Sequence, residues 1–225
     1  MMAEVSPSDD GAAPRVYRST LREQQAKATR RRVLAAAASQ FSTHGYSATT
    51  MSGIARDAGV SVETVKGAGS KAELLVGAFE TTFSGSEAAP SLTDTEVGQG
   101  VLRLPGDAFL GGLIAGLTLA NSRGYALWTV LLGASFSDEV VAAALDEILV
   151  RRRADYRMAV AEFTRRGMAA ASIDVDAAAD ELSFLLSPEG YQQLVAQSGW
   201  TPERYTAWAD RRVRGVLAGL LTRAR

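Results

Sequence analysis

The sequence predicts an all-α chain: an N-terminal helix-turn-helix unit of short helices, then a larger all-helical domain. Three observations carry that expectation. Apolar residues recur at the i, i+3, i+4, i+7 spacing of a helix face, and no sustained strand alternation is present. Ser, Thr or Asp stands before most periodic runs, where the first free N–H groups need an acceptor. Gly follows several of them, where a left-handed residue ends a helix.

Taken in order, residues 1–14 are acidic and lack an apolar run, so they read as a disordered tail rather than a targeting signal. With the basic residues that follow, they form a tail and arm over 1–28. Thr29 caps a helix that carries Val33, Ala37 and Phe41 on one face and ends at His44-Gly45. Thr50 caps a second helix with Ile54, Ala55 and Ala58, closed by Gly59. Ser61, bracketed by Val60 and Val65, caps a third, and Ser70-Lys71-Ala72-Glu73 is a capping box that opens a fourth with Leu74, Leu75, Ala78 and Phe79. Only Gly59-Val60-Ser61 separates the second helix from the third, which is the spacing of a helix-turn-helix. Residues 29–83 are therefore one unit.

Residues 84–106, rich in Gly, Ser and Thr with Pro90 and Pro105, read as a junction. Beyond it, 84–225 form the second domain. Helices are expected at 107–121 and 125–135, broken by Asn121-Ser122-Arg123, and over 138–167, with i,i+4 pairs Glu147–Arg151 and Glu162–Arg166. Asp174 caps a helix to Leu186; Ser187-Pro188 and Thr201-Pro202 open the last two, ending near Gly199 and Leu221. The 13-residue apolar stretches are too short to span a bilayer, which implies no membrane partner and a cytoplasmic location.

Composition narrows the chemistry. The 225 residues contain no cysteine and one histidine, which excludes thiol nucleophiles, disulfide frameworks and Cys/His metal sites. His44, with no carboxylate within four residues and a helix end beside it, reads as structural rather than as a general base. The acids Asp174, Asp176, Asp180 and Glu181 read as complements of a helix dipole rather than metal ligands. Arg151, Arg152 and Arg153, bracketed by Glu147 and Asp155, read as a solvated helix face. The expectation is a protein that is not an enzyme, with no cofactor and no metal.

Net charge is −1, but it is unevenly spread. Residues 15–80 hold ten basic groups against five acidic, a surplus of +5, while 1–14 and 81–225 each carry −3. The basic surplus coincides with the helix-turn-helix, the asymmetry expected where one part of a chain meets a polyanion.

Residues 29–79 resemble the TetR family of bacterial transcriptional regulators. The carrying residues are 29–37, Phe41, His44-Gly45-Tyr46, Thr49-Thr50, Ile54-Ala55, Ala58-Gly59-Val60-Ser61 and the run from Gly69 to Leu75. The resemblance implies an N-terminal DNA-reading domain and a C-terminal domain that dimerises and binds a small effector. It implies a repressor that binds a palindromic operator as a homodimer. One departure stands out: the family usually carries an aromatic where Lys66 stands and a second before Gly-Ser-Lys, and residues 65–71 lack both and are one residue shorter. That departure keeps open an alternative, a regulator that binds a small ligand or protein partner without reading DNA sequence.

Candidate DNA contacts to double-stranded DNA are Ser61, Val62, Glu63, Thr64 and Lys66 on the third helix. Glu63 is suited to a cytosine amino group and Thr64 to a thymine methyl or a phosphate. Thr50 and Lys71 stand at helix N-termini suited to phosphate, and Arg30 heads a basic run that can follow the backbone. For the second domain, Phe109, Asn121, Tyr125 and Trp128 are candidates to line a pocket for a small apolar effector, between the 107–121, 125–135 and 138–167 helices.

Overall fold

The computed structural model describes residues 13–219, with side chains from Arg22 onward except that of Asp107. The expected tail before residue 13 and the final six residues lie outside the described residues. Within them the fold is all-α, with no strand. The ten helices are α1 (Ala13–Ala48), α2 (Met51–Ala58), α3 (Val62–Ala68), α4 (Lys71–Ser84), α5 (Glu96–Leu102), α6 (Gly106–Ser135), α7 (Glu139–Arg165), α8 (Val175–Leu185), α9 (Pro188–Tyr191) and α10 (Pro202–Leu217). A 3₁₀ turn, Leu92–Asp94, precedes α5, and a π-helical turn, Gln192–Gln197, extends α9.

Most caps form as expected. Thr50 accepts from the Gly53 N–H, Ser61 from Thr64, Asp174 from Asp176 and Ala177, Ser187 from Gly190, and Thr201 from Arg204. Ser70 and Glu73 make both bonds of the capping box. Gly59 sits at φ 63°, ψ 41°, the left-handed geometry that lets the chain turn sharply between α2 and α3. Gly45, at φ 75°, ψ 177°, breaks the helical path of α1 where its end was expected.

Three expectations are corrected. Thr29 caps nothing: α1 starts at Ala13, because Pro14 suits a first helical turn and 15–28 hold helix formers without a Gly or Pro to stop them. The chain does not break at Asn121-Ser122-Arg123, so α6 is a single helix of 30 residues. Asn121 is fully buried there and its amide donates to the Leu186 carbonyl at 2.9 Å, a tertiary bond that settles the residue inside a helix. Residues 84–106 are more than a junction, since they contain the 3₁₀ turn and α5.

The core has two clusters. In the first, Val33, Leu34 and Phe41 of α1, Ile54 of α2, Val65 of α3 and Leu74, Leu75 and Phe79 of α4 pack with Leu127, Trp128 and Leu131 of α6 and Val141, Leu145 and Ile148 of α7. The helices α1 to α4 and the hairpin of α6 and α7 thus share one apolar interior. Gly124 marks where α4 crosses α6: a β-carbon there would meet the Phe83 ring at 3.1 Å. The second cluster joins the opposite halves of α6 and α7 to α8 and α10, through Phe109, Ile114, Phe163, Leu182, Val213 and Leu217 among others.

Arg166 at the end of α7 anchors the turn before α6. Its guanidinium donates to the Leu102 carbonyl at 2.8 Å and to the Leu104 carbonyl, and lies 4.2 Å from the Phe109 ring centroid. The expected Glu162–Arg166 pair forms, at 2.5 Å, and Arg165 also donates to Glu162. These hydrogen bonds hold the Glu162 carboxyl down to about 2, from an ordinary 4.5. A depressed carboxyl contributes stability that is complete above its unfolded value and lost as pH falls toward the folded one. Denaturant unfolding of wild type and Glu162→Gln should therefore differ at neutral pH, with the gap closing between about pH 4.5 and 2.

Candidate nucleic-acid interface and effector cavity

Local geometry presents α3 outward. Val65 is its anchor, fully buried, while Ser61, Glu63, Thr64 and Lys66 are exposed. The Ser61 hydroxyl caps Thr64 and lies 3.0 Å from its hydroxyl, so these two side chains brace the first turn and leave Glu63 and Lys66 projecting. Val62 is half-buried and packs on the first core cluster, which turns it from the groove-facing edge where it was expected. Thr50 is exposed at the start of α2. Lys71 donates to the Ser47 carbonyl at 3.2 Å and stands 4.6 Å from the Tyr46 ring centroid, which fixes the ammonium beside the N-terminus of α4.

Arg30 is differently employed. Its Nε donates to Glu87 Oε2 at 2.7 Å, its second nitrogen engages Glu87 Oε1, and its third reaches the Ala68 carbonyl. The side chain thus faces the body of the protein rather than a DNA backbone, because a fork-shaped cation finds a carboxylate and the last carbonyl of α3 together. Arg31 and Arg32 of the same run are exposed. α3 ends at a half-buried Ala68, whose carbonyl accepts from Arg30.

A second tie joins head to body. The Tyr46 hydroxyl donates to Asp138 Oδ2 at 2.6 Å, while Asp138 Oδ1 caps α7 through Val140 and Val141. Burial and that hydrogen bond raise the Tyr46 phenol, and the hydrogen bond lowers the Asp138 carboxyl against the opposing effect of burial. The sequence signalled each residue singly, Tyr46 in the His-Gly-Tyr triplet and Asp138 at a helix start. Their pairing across 92 positions had no local signal.

Between the two core clusters lies a cavity of about 270 Å³. Phe79, Trp128 and Ile148 come to its wall from the first cluster, and Phe109, Leu117 and Tyr156 from the second. Residues 83–102 close one side, and Val97, Leu119 and Met158 stand exposed at its rim. Of the expected pocket residues, Phe109 and Trp128 line it. Asn121 and Tyr125 do not: Asn121 is spent on Leu186, and Tyr125 packs its ring 5.8 Å from that of Tyr191. The cavity is bounded by the end of α4 and the segment after it, and not only by α6 and α7 as expected.

Arg151 and Arg152 of the α7 trio are half-buried in tertiary contacts, while Arg153 stays exposed. Arg151 pairs with Glu80 of α4 at 2.6 Å and not with Glu147, and it donates to the Ala89 carbonyl. Arg153 pairs with Asp180, and Arg157 with Asp176, both at 3.1 Å. Asp174 is the cap of α8. No group of three or more His, Cys, Asp or Glu among the described residues is placed to hold a metal ion. No helix among them is long and apolar enough to cross a membrane.

Short capped helices around a sharp glycine turn, with the second projecting an exposed polar edge, define a helix-turn-helix protein. Residues 33–77 match the family model described as bacterial regulatory proteins, tetR family. The whole chain resembles, at a TM-score of 0.63 and 21% identity, the crystal structure of a presumed transcriptional regulator from Pseudomonas aeruginosa PAO1, over 87% of this chain and 93% of that one. That likeness is one of fold. No curated protein sequence matches the chain.

The Arg30–Glu87 contact is testable by a double-mutant cycle. Urea unfolding of Arg30→Ala, Glu87→Gln and the double variant should give non-additive losses, with a coupling of about 0.5–1 kcal/mol for a bidentate, half-exposed pair. Additive losses would show that the two side chains act independently.

Proposed function

We propose that the chain is an effector-responsive DNA-binding regulator, a repressor that binds a palindromic operator as a homodimer. Residues 29–83 read DNA and 84–225 dimerise and bind the effector. The observation that carries the reading is the family match over 33–77, joined to an α3 whose exposed edge bears Glu63, Thr64 and Lys66. In this reading Glu63 addresses base edges and Lys66 and Lys71 address phosphates. Thr50 and Ser61 hold the helix ends that face the duplex. Effector in the cavity acts through differential affinity for two arrangements of the head, because the cavity wall includes Phe79 and Glu80 of α4. The basic surplus of the head supports a polyanionic partner.

The dimer reading draws support from an apolar patch on α7 and α8. The ion pairs Arg157–Asp176 and Arg153–Asp180 set the register of the two helices, and from that register we infer that Val150 (70% exposed) and Phe184 (76% exposed) are neighbours about one turn further on. Large side chains exposed side by side on neighbouring helices mark an association surface. This favours the long helix α7 as part of the dimer interface.

DNA affinity should fall steeply with salt, since a dimer neutralising several phosphates releases as many counterions. Fluorescence anisotropy on fragments flanking its own gene is the measurement. Lys71→Ala should weaken all sequences about equally and Glu63→Ala should alter base preference. Absence of binding even at low salt overturns the regulator reading in favour of a ligand or protein binder without DNA recognition. Separately, light scattering should show a dimer for wild type and a shift toward monomer for Phe184→Glu.

A further inference from the structure

The cavity wall combines an apolar surface with two hydrogen-bond donors that have no acceptor. Trp128 is 1% exposed, and its indole Nε1–H has no partner. Arg152 carries a terminal nitrogen, NH1, that is buried without a hydrogen bond. Its nearest carboxylate, Glu189 Oε2, stands at 3.7 Å, beyond hydrogen-bond reach. Both side chains line the cavity, and the Arg152 guanidinium lies 5.4 Å from the Trp128 ring centroid, so the two residues adjoin in one part of the wall. An unmade bond at a buried donor carries a desolvation cost that an incoming acceptor recovers.

The other charged groups of the lining are committed elsewhere or lie at the surface. Glu80 is paired with Arg151, and Glu162 with Arg165 and Arg166. Asp155 accepts from the Ser91 hydroxyl and, at 3.1 Å, from the Leu92 N–H, which turns its carboxylate toward the 3₁₀ turn. Arg123 is exposed. Among the charged groups of the lining, Arg152 is thus the one with a buried donor lacking a hydrogen bond, its ion pair with Glu189 being a loose 3.7 Å contact. The remaining wall, from Phe83, Leu113, Leu117, Ile148, Tyr156 and Met158, offers an apolar chain or ring and little else.

From this we infer that the effector is a slender amphipathic monocarboxylate, its carboxylate received by Trp128 Nε1–H and the Arg152 guanidinium and its apolar body lying along α6 and α7. The inference deepens the regulator reading by giving its effector a chemical class. At about 270 Å³ the cavity is at the small end for ligand pockets and admits a single such molecule. A charged acceptor is favoured over a neutral one because it satisfies both donors and the guanidinium charge at once.

The test is titration of the full chain, without DNA, by decanoate, decan-1-ol and decylamine, with ¹⁵N-labelled tryptophan as reporter. Trp128→Phe identifies the Trp128 indole signal among the three, Trp200 and Trp208 being the others. Decanoate should bind at least about tenfold more tightly than the alcohol or the amine. It should move the Trp128 N–H signal downfield in the wild-type chain and leave those of Trp200 and Trp208 in place. Arg152→Gln, shown to be folded by circular dichroism, should lose the preference for decanoate over decan-1-ol. Equal binding of the three probes, an unmoved Trp128 signal at saturation, retained preference in Arg152→Gln, or no binding at all would each overturn the assignment. Because DNA is absent, decanoate binding by a chain that fails to bind any DNA would leave this assignment standing and remove the regulator reading.

Discussion

Burial of α4 on two sides is the constraint from which the rest of the architecture follows. A helix of 14 residues places Leu74, Leu75, Ala78 and Phe79 in one continuous apolar interior, and that interior is shared by α1 and by α6 and α7. With so much of its surface out of water, α4 cannot tilt without repacking side chains of both the head and the hairpin. Gly124 deepens this intimacy by letting α4 approach α6 at the level of Phe83. The apolar body of α4 therefore connects the reading helix to the cavity wall, and the polar contacts are laid around that connection.

Those polar contacts converge on one short stretch. Glu80 holds Arg151, and its second carboxylate oxygen accepts from the Ala88 N–H at 2.7 Å. Glu87 holds Arg30, and Arg151 also reaches the Ala89 carbonyl. The segment between Phe79 and Pro90 is thus bonded to α1 through Glu87 and to the cavity-lining face of α7 through Glu80 and Ala89. Ser86, Ala89 and Pro90 of this stretch stand in the cavity wall. Population shift needs an element whose two arrangements the ligand distinguishes, and here that element is bonded to both sites.

Much of the fold was legible locally. Caps need only a side-chain oxygen two or three residues before an amide, and Gly59 needs only a left-handed turn, so Thr50, Ser61, Ser70, Asp174 and Thr201 could be read from short windows. Errors arose where tertiary contact overrode local preference. Asn121 looks like a helix breaker until Leu186 takes its amide, and Arg151 looks paired along its helix until Glu80 offers a better-buried carboxylate. The site was legible in the same proportion. The exposed edge of α3 follows from helical periodicity around Val65, whereas the cavity depends on residues 83–102 folding back onto α6 and α7, which no spacing announces. Arg30 fell between the two cases, since its position was right for a phosphate and its partner lay 57 residues away.

The bond between Tyr46 and Asp138 bears on inheritance as well as on structure. Asp138 divides its two carboxylate oxygens between the head and the first turn of α7, so the start of that helix and the end of α1 share one acceptor. A head transplanted from a relative would need its own tyrosine at this point, an arginine for Glu87 and an apolar face for Leu127 and Leu131. Heads of this kind are often pictured as interchangeable parts fixed to arbitrary sensors. In this chain the seam is crossed by a shared core and by the Tyr46–Asp138, Arg30–Glu87 and Glu80–Arg151 bonds, so the two parts are expected to vary together, as a single unit of descent.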